Sequence, residues 1–527
     1  MAKLEIAVGS QFSADELADF TFLKDAIEME LARIGTPGET GYAFELDNNH
    51  MMSAIVYLEM IFKEYQAYDT KEDLQNYKKR LLLLTPQFAA VIDGFRSGIR
   101  RGITLNKDSI NLLIKKFSDS CGGGNLSDVE ATEFARKSPF NQKEKALELL
   151  GDEEFFVPVI RDVVVAGFSK VLKFVQDEYA LHARAGAGIF GLPNWEQEYS
   201  NFVFLHTNTR YTADEIHELG LKEVARIEAE MEKAKVACGY QGTLQEFQKD
   251  INDKEKFPQL FYDELDKVIP DYEQICKTAI IKMQKYFNKF PKFECKVSPV
   301  PDYQEEQSPM AFYMPGTPSK SGTFYANMKL HKVKPSHTMT SLCLHEAIPG
   351  HHHQVSLALE NDSLHLVRRL IYNTAYVEGW ALYAEYLGEE MGFYGETRET
   401  ATIDESFKYF GRLEEEQFRA VRLVIDSGLH GKGWTNEQAI EYFRSKVSAG
   451  LDEIESEVRR YCAIPGQALA YKIGEIKIRE LRRFAEEALG SRFDIKEFHN
   501  SLIDFGSLPL GTLESVVKNW VKTVQAC

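Results

Sequence analysis

The chain has 527 residues, 44% hydrophobic and 27% charged, the make-up of an ordinary soluble globular protein long enough to bury a large core. Its formal net charge of -18 argues against nucleic acid or an anionic membrane as the main partner, because both require clustered Lys and Arg. No window reaches the roughly 18 uninterrupted apolar residues of a membrane span, and the most apolar stretch, Phe155 to Phe168, is broken by Arg161 and Asp162.

The first residues, Met1 to Gly9, lack the apolar run of a signal peptide. The seven cysteines are scattered and form no CxxC pair, which fits a reducing compartment. Together these features predict a cytoplasmic protein. Apolar residues three and four apart predict helices over Phe22 to Ile34 and His50 to Tyr65, and Tyr77 to Leu84 also reads as helical. Cys121-Gly122-Gly123-Gly124-Asn125 lacks the Gly-Lys-Ser/Thr ending of a phosphate loop and reads as a flexible turn. Thr212-Ala213-Asp214-Glu215 has the spacing of a capping box and opens a helix to about Ala234. Further helices are predicted over Asp271 to Tyr286, Phe407 to Ile425, Asn436 to Lys446 and Ala468 to Leu489, with Pro270 suited to a first turn.

Strand signals are confined to Lys292 to Val297 and Gly322 to Leu330, which predicts a short β-sheet around 292–331. The expected fold class is therefore mainly α with a small sheet. Pro301 marks a boundary between an N-terminal helical region, 1–300, and a catalytic region, 301–527; a single interdigitated body satisfies the same pattern. Breaks are also expected at Thr36-Pro37-Gly38 and Gly186 to Pro193.

Just after the predicted sheet comes His345-Glu346-Ala347-Ile348-Pro349-Gly350-His351-His352-His353-Gln354. Seven of the thirteen histidines fall between His331 and His365. Neutral imidazole is the commonest zinc ligand, and a Glu beside the first ligand is the usual general base of a zinc peptidase. Such peptidases usually space their histidines at i and i+4, one helical turn apart, but here that position is Pro349. A straight helix would carry His352, at i+7, ~10 Å along the axis, too far to share one ion. The helix is therefore expected to bulge at Pro349 and Gly350, returning His351 beneath His345, with His352 as the alternative ligand. Glu378, in the helical segment Tyr376 to Glu385, is the third ligand, and Glu385 two turns on reads as a supporting acid. Glu346 is the general base. One Zn2+ per chain is the expected cofactor. His206 and His217 carry no assignment, and no Gly-x-Ser-x-Gly elbow accompanies these motifs.

The His345–Gln354 run and Glu378-Gly379-Trp380-Ala381-Leu382-Tyr383-Ala384-Glu385 resemble the DUF885 family, related at a distance to the gluzincin zinc peptidases. Arg460-Tyr461-Cys462-Ala463-Ile464-Pro465-Gly466-Gln467-Ala468-Leu469-Ala470-Tyr471-Lys472-Ile473-Gly474 matches as well, and weaker echoes reach Gly191-Leu192-Pro193 and His217-Glu218-Leu219-Gly220-Leu221. The resemblance implies a helical gluzincin-like body with a cleft, a small sheet, and zinc-dependent peptidase or carboxypeptidase-like activity on peptide substrates. It also implies an edge strand for substrate, here Gly322 to Leu330, and a side chain aimed at the developing oxyanion. Tyr471 is the first candidate for that role, followed by Arg460 and Tyr461; Lys472 and Gln467 are weaker ones. Two rivals share the motif: a metal-dependent amidase or esterase on a non-peptide substrate, and a catalytically silent helical binding protein whose metal is closed off by His352 or His353.

Overall fold

The computed structural model describes residues 14–36, 39–40, 42–301, 305, 308–317 and 320–526. Pro37 and Gly38 of the expected break at Thr36-Pro37-Gly38 lie outside the described residues. The mainly α fold class is what the structure has, with one small three-stranded sheet.

Local capping chemistry sets several helix starts. Helix α1, Ala14–Ile34, covers the predicted Phe22 to Ile34. In the predicted His50 to Tyr65 segment only Leu58–Tyr65 is helical. The Asn49 side chain accepts from the amides of Met51 and Met52 at 2.7 and 3.0 Å, so the chain turns there instead. Thr212 accepts from the Glu215 amide at 3.2 Å, and the Glu215 carboxylate accepts from the Thr212 amide at 2.8 Å. This reciprocal pair satisfies two amides that a first turn leaves unpaired, and it opens α2, Ala213–Ala237. Helix α3, Val268–Lys282, holds Pro270 in its first turn, as expected.

The sheet comprises β1 (Lys296–Pro299), β2 (Ala311–Met314) and β3 (Thr323–Ala326), within the predicted interval. Their order is β1–β3–β2. β1 runs parallel to β3, pairing Val297 with Phe324, and β2 runs antiparallel to it, pairing Phe312 with Tyr325.

The helices that follow build the site. These are α4 (Met339–Glu346), α5 (His351–Glu360), α6 (Thr374–Glu390), α7 (Ile403–Gly431), α8 (Leu451–Ala463) and α9 (Ala470–Leu489). α6 is buried along most of its length, with Val377, Trp380, Ala381 and Ala384 all in the core. It crosses α9 almost backbone to backbone at Gly379 and Gly474. A Cβ on Gly474 would stand 1.9 Å from the carbonyl oxygen of Ala375, so only glycine permits this crossing.

α2 lies along α7. Between α2, α7 and α9, the fully buried Lys472 ammonium meets Glu416 at 2.7 Å and Glu223 at 3.2 Å, with Glu475 beside them. A buried ammonium is tolerated only with such partners. Lys472, considered for oxyanion stabilisation, is thus committed to the joint between helices.

Candidate metal centre and cleft

The sequence predicts one bulged helix from His345 to His351; the structure has two helices with a sharp break between them. α4 ends at Glu346, and Ala347 leaves helical space at φ -103°, ψ -96°. A cis Ile348–Pro349 peptide and Gly350 at ψ -131° follow, and α5 restarts at His351. Pro349 has no amide for a helical bond, and a Cβ on Gly350 would fall 1.9 Å from the His345 carbonyl oxygen. The expected outcome of a bulge is nevertheless reached: the rings of His345 and His351 come to 4.8 Å, nearly perpendicular at 85°. Trp380 of α6 donates to the Pro349 carbonyl at 2.8 Å and ties the break to the core.

α6 supplies the third group. Glu378 Oε2 is 3.6 Å from His345 Nε2 and 3.5 Å from His351 Nε2. One ligand atom from each of the three residues lies within 4.8 Å of the other two. Nitrogen and oxygen ligands ~2.0–2.1 Å from one tetrahedral ion stand about 3.3 Å apart, so the spacing fits a shared metal ion better than hydrogen bonding. All three residues are buried. They could hold a metal ion, and their donor set of two imidazoles and one carboxylate suits zinc.

Electrostatics around the trio agree with that use. Burial opposes charge on His345, but Glu378 and Glu385 outweigh it and raise the imidazole to about 9. A metal would therefore displace a proton on entering. Burial likewise opposes charge on Glu378, but His351 and His345 hold it well below the usual carboxylate range. Glu385 Oε1 lies 2.7 Å from His345 Nδ1, and Ser341 donates to its other oxygen. Tyr372, which the sequence reading passed over, donates to Glu378 Oε1 at 2.8 Å.

The alternative ligands point elsewhere. His352 donates from Nε2 to the Phe293 carbonyl at 3.0 Å, and its Nδ1 meets the Tyr313 hydroxyl at 3.1 Å. His353 is buried against Phe287 and Phe290, where loss of water lowers its imidazole to about 3. Neither ring joins the trio, either as second ligand or as a closing fourth.

His345, His351 and Glu378 line a cleft of about 560 Å3, together with Glu346, Tyr372, Tyr471, Arg419 and Arg422. Burial raises the Glu346 carboxyl above its ordinary value, against the pull of His345 and His351. Tyr471 sits in the wall with the Arg422 guanidinium 4.6 Å from its ring. Arg460 and Tyr461 do not line the cleft. Arg460 is gripped by Glu457 at 2.8 and 3.1 Å and by Gln467 at 2.5 Å, and Tyr461 donates to Glu457 at 2.6 Å. They brace α8, and Gln467 is held with them, so of the five oxyanion candidates only Tyr471 lines the cleft.

The expected substrate strand also needs correction. Gly322 to Leu330 contains β3, which is the middle strand and has both edges paired. The edge strand in the cleft wall is β2. The Asn327 amide donates to the Met310 carbonyl at 2.9 Å, which with the register directs the backbone groups of Ala311 and Tyr313 away from β3.

A family model described as a bacterial protein of unknown function, DUF885, matches residues 2–517. The chain belongs to the DUF885 family. It is similar to the crystal structure of a protein from Colwellia psychrerythraea titled a "putative lipoprotein", at 26% identity and a TM-score of 0.86, over 98% of this chain and 89% of that one. A "putative lipoprotein of unknown function" from Shewanella oneidensis shares the fold at 19% identity and a TM-score of 0.71, over 98% and 90%. No curated protein matches the chain. Among the described residues, no helix is long and apolar enough to cross a membrane.

Proposed function

We propose that this DUF885 protein is a zinc-dependent metallopeptidase. The observation that carries the reading is the convergence of His345, His351 and Glu378 in a cleft that Glu346 also lines. A bound zinc ion would polarise the scissile carbonyl and acidify a water at an open coordination position. Glu346 takes the proton of the attacking water and delivers it to the leaving amine. The outward backbone groups of Ala311 and Tyr313 on β2 would bind an extended peptide by main-chain hydrogen bonds. Tyr471 would donate to the carbonyl oxygen as charge develops there.

Amidase or esterase action on a non-peptide substrate uses the same residues, and the free edge of β2 is what favours a peptide. The silent binding-protein reading loses its closing ligands, because His352 and His353 are turned away. A cytoplasmic location is part of the proposal and rests on the six described cysteines, all of them free thiols. The lipoprotein description belongs to the two relatives.

The test is turnover of a mixed peptide pool, with simple amides and esters alongside, by the native chain and by Glu346→Gln. The reading expects peptide cleavage by the native chain and its loss in the variant, with metal retained in both. Cleavage of amides or esters in place of peptides would select the rival enzyme, and full activity in Glu346→Gln would overturn the mechanism.

A further inference from the structure

Two arginines in the cleft wall have guanidinium nitrogens without a hydrogen-bond partner among the described residues. Arg419 and Arg422 lie three residues apart on α7, so they share one face of that helix. Both line the cleft that holds His345, His351 and Glu378. Arg419 is anchored by Glu415 through one terminal nitrogen, while its Nε is buried without a hydrogen-bond partner. Arg422 donates from Nε to the Tyr461 hydroxyl at 2.9 Å and from one terminal nitrogen to Glu457 at 3.1 Å. Its other terminal nitrogen, Nη1, is buried and unpartnered. The Arg422 side chain is 9% exposed and that of Arg419 is 11% exposed, so these nitrogens lie just behind the cleft surface and a small shift of either side chain would present them to an acceptor there.

A buried N–H left without an acceptor is costly, and it is costlier on a cation. Two such donors on neighbouring guanidinium groups in one cleft wall are explained by an acceptor that arrives with a ligand. Guanidinium presents its donors in a planar fork that matches a carboxylate. The position is close to the chemistry. Arg422 stacks on Tyr471, and both arginines line the cleft alongside Glu346 and Glu378. Glu415 and Glu457 each neutralise part of the pair, so the subsite offers directed donors more than a strong positive field.

We propose that Arg419 and Arg422 form a carboxylate-recognition subsite beside the metal trio, so that the cleft selects peptides carrying a carboxylate next to the bond that is cut. This deepens the peptidase reading and rests on it. Two sources share the chemistry: the C-terminal carboxylate of a peptide, or an acidic side chain within it.

The test is calorimetric binding of three peptides to the zinc-supplemented full chain carrying Glu346→Gln, which keeps the peptides intact. The peptides are N-acetyl-trialanine, its C-terminal amide, and N-acetyl-Ala-Glu-Ala amide. The free acid is expected to bind at least tenfold more tightly than its amide. Tight binding of the Glu-containing amide as well would name the side-chain carboxylate as a source, and weak binding of it would leave the C-terminus. Adding Arg419→Gln or Arg422→Lys should bring acid and amide within twofold of each other by weakening the acid more than the amide, with thermal melting confirming folded protein. Equal binding of acid and amide before any arginine is changed would overturn the subsite. So would a full preference for the acid in both arginine variants. Because binding is read without turnover, a preference for the acid in a protein that cleaves no peptide would sink the peptidase reading and leave the subsite standing. Cleavage without discrimination would do the reverse.

Discussion

Glu385 Oε1 stands 2.7 Å from Nδ1 of His345, on the opposite side of the ring from Nε2, which faces Glu378. The carboxylate holds the proton on Nδ1, so the proton that an entering metal displaces is the one on Nε2, which faces the trio; such a partner raises a ligand's basicity and locks its orientation. Glu385 is itself held by Ser341, one turn before His345 on α4. Replacing Glu385 with Gln should therefore weaken zinc binding about 10- to 100-fold while leaving the fold intact. Competition against a chelator of known affinity checks this, and unchanged zinc affinity would remove Glu385 from the account.

The crossing of α6 and α9 sets where Glu378 stands. Gly474→Ala would place a methyl group 1.9 Å from the Ala375 carbonyl oxygen, and nothing there can yield except the two helix backbones. A loss of 1–3 kcal/mol or more is expected from such overpacking. Gly511→Ala is the control, because its added Cβ meets nothing within 4 Å and lies in a helix. Thermal unfolding should show the first variant clearly less stable and the second no worse than native. Equal melting of the two would mean that the helices separate at little cost.

Glu457 predicts an acid-side loss of stability. Burial opposes its charge, but Arg460 and Arg422 outweigh burial and hold its carboxyl far below the ordinary value of 4.5. A carboxyl whose folded pKa is depressed binds fewer protons when folded than when unfolded between those two values. Its contribution is complete above the unfolded value near 4.5 and is lost as pH falls toward the folded one. Glu457→Gln should destabilise the protein by up to about 3 kcal/mol at neutral pH, since it leaves the buried Arg422 and the half-buried Arg460 short of a partner. It should also flatten the fall in stability below pH 4.5. Denaturant midpoints measured from pH 7 down to pH 3 read both effects, and parallel curves for variant and native would contradict the assignment.

How far the sequence was legible follows the range of the interactions involved. The capping box at Thr212 and Glu215 rests on contacts three residues apart, and it opens α2 as expected. The pairing of His345 with His351 across Pro349 and Gly350 was readable because two residues on one ion cannot sit far apart. The way the chain achieves it was not. Helical periodicity assumes one continuous axis, and the structure breaks that axis. The sheet interval was legible from strand chemistry, whereas strand order depends on pairing between distant segments, so β3 was mistaken for the edge. Arg460 sits in a matching motif, yet Glu457 three residues earlier captures it. Arg419 and Arg422 left only a faint trace: on a helix as buried as α7, charges at 412, 416, 419 and 422 recur every three or four residues, where a core face would be apolar.

The central claim is that His345, His351 and Glu378 hold one metal ion. Zinc per chain, measured by elemental analysis of untagged protein purified without added metal and again after reconstitution, tests it most directly when native and His351→Ala are compared. The account predicts about one zinc per native chain and almost none in the variant. A native chain that takes up no zinc on reconstitution, or a variant that keeps a full equivalent, would contradict it.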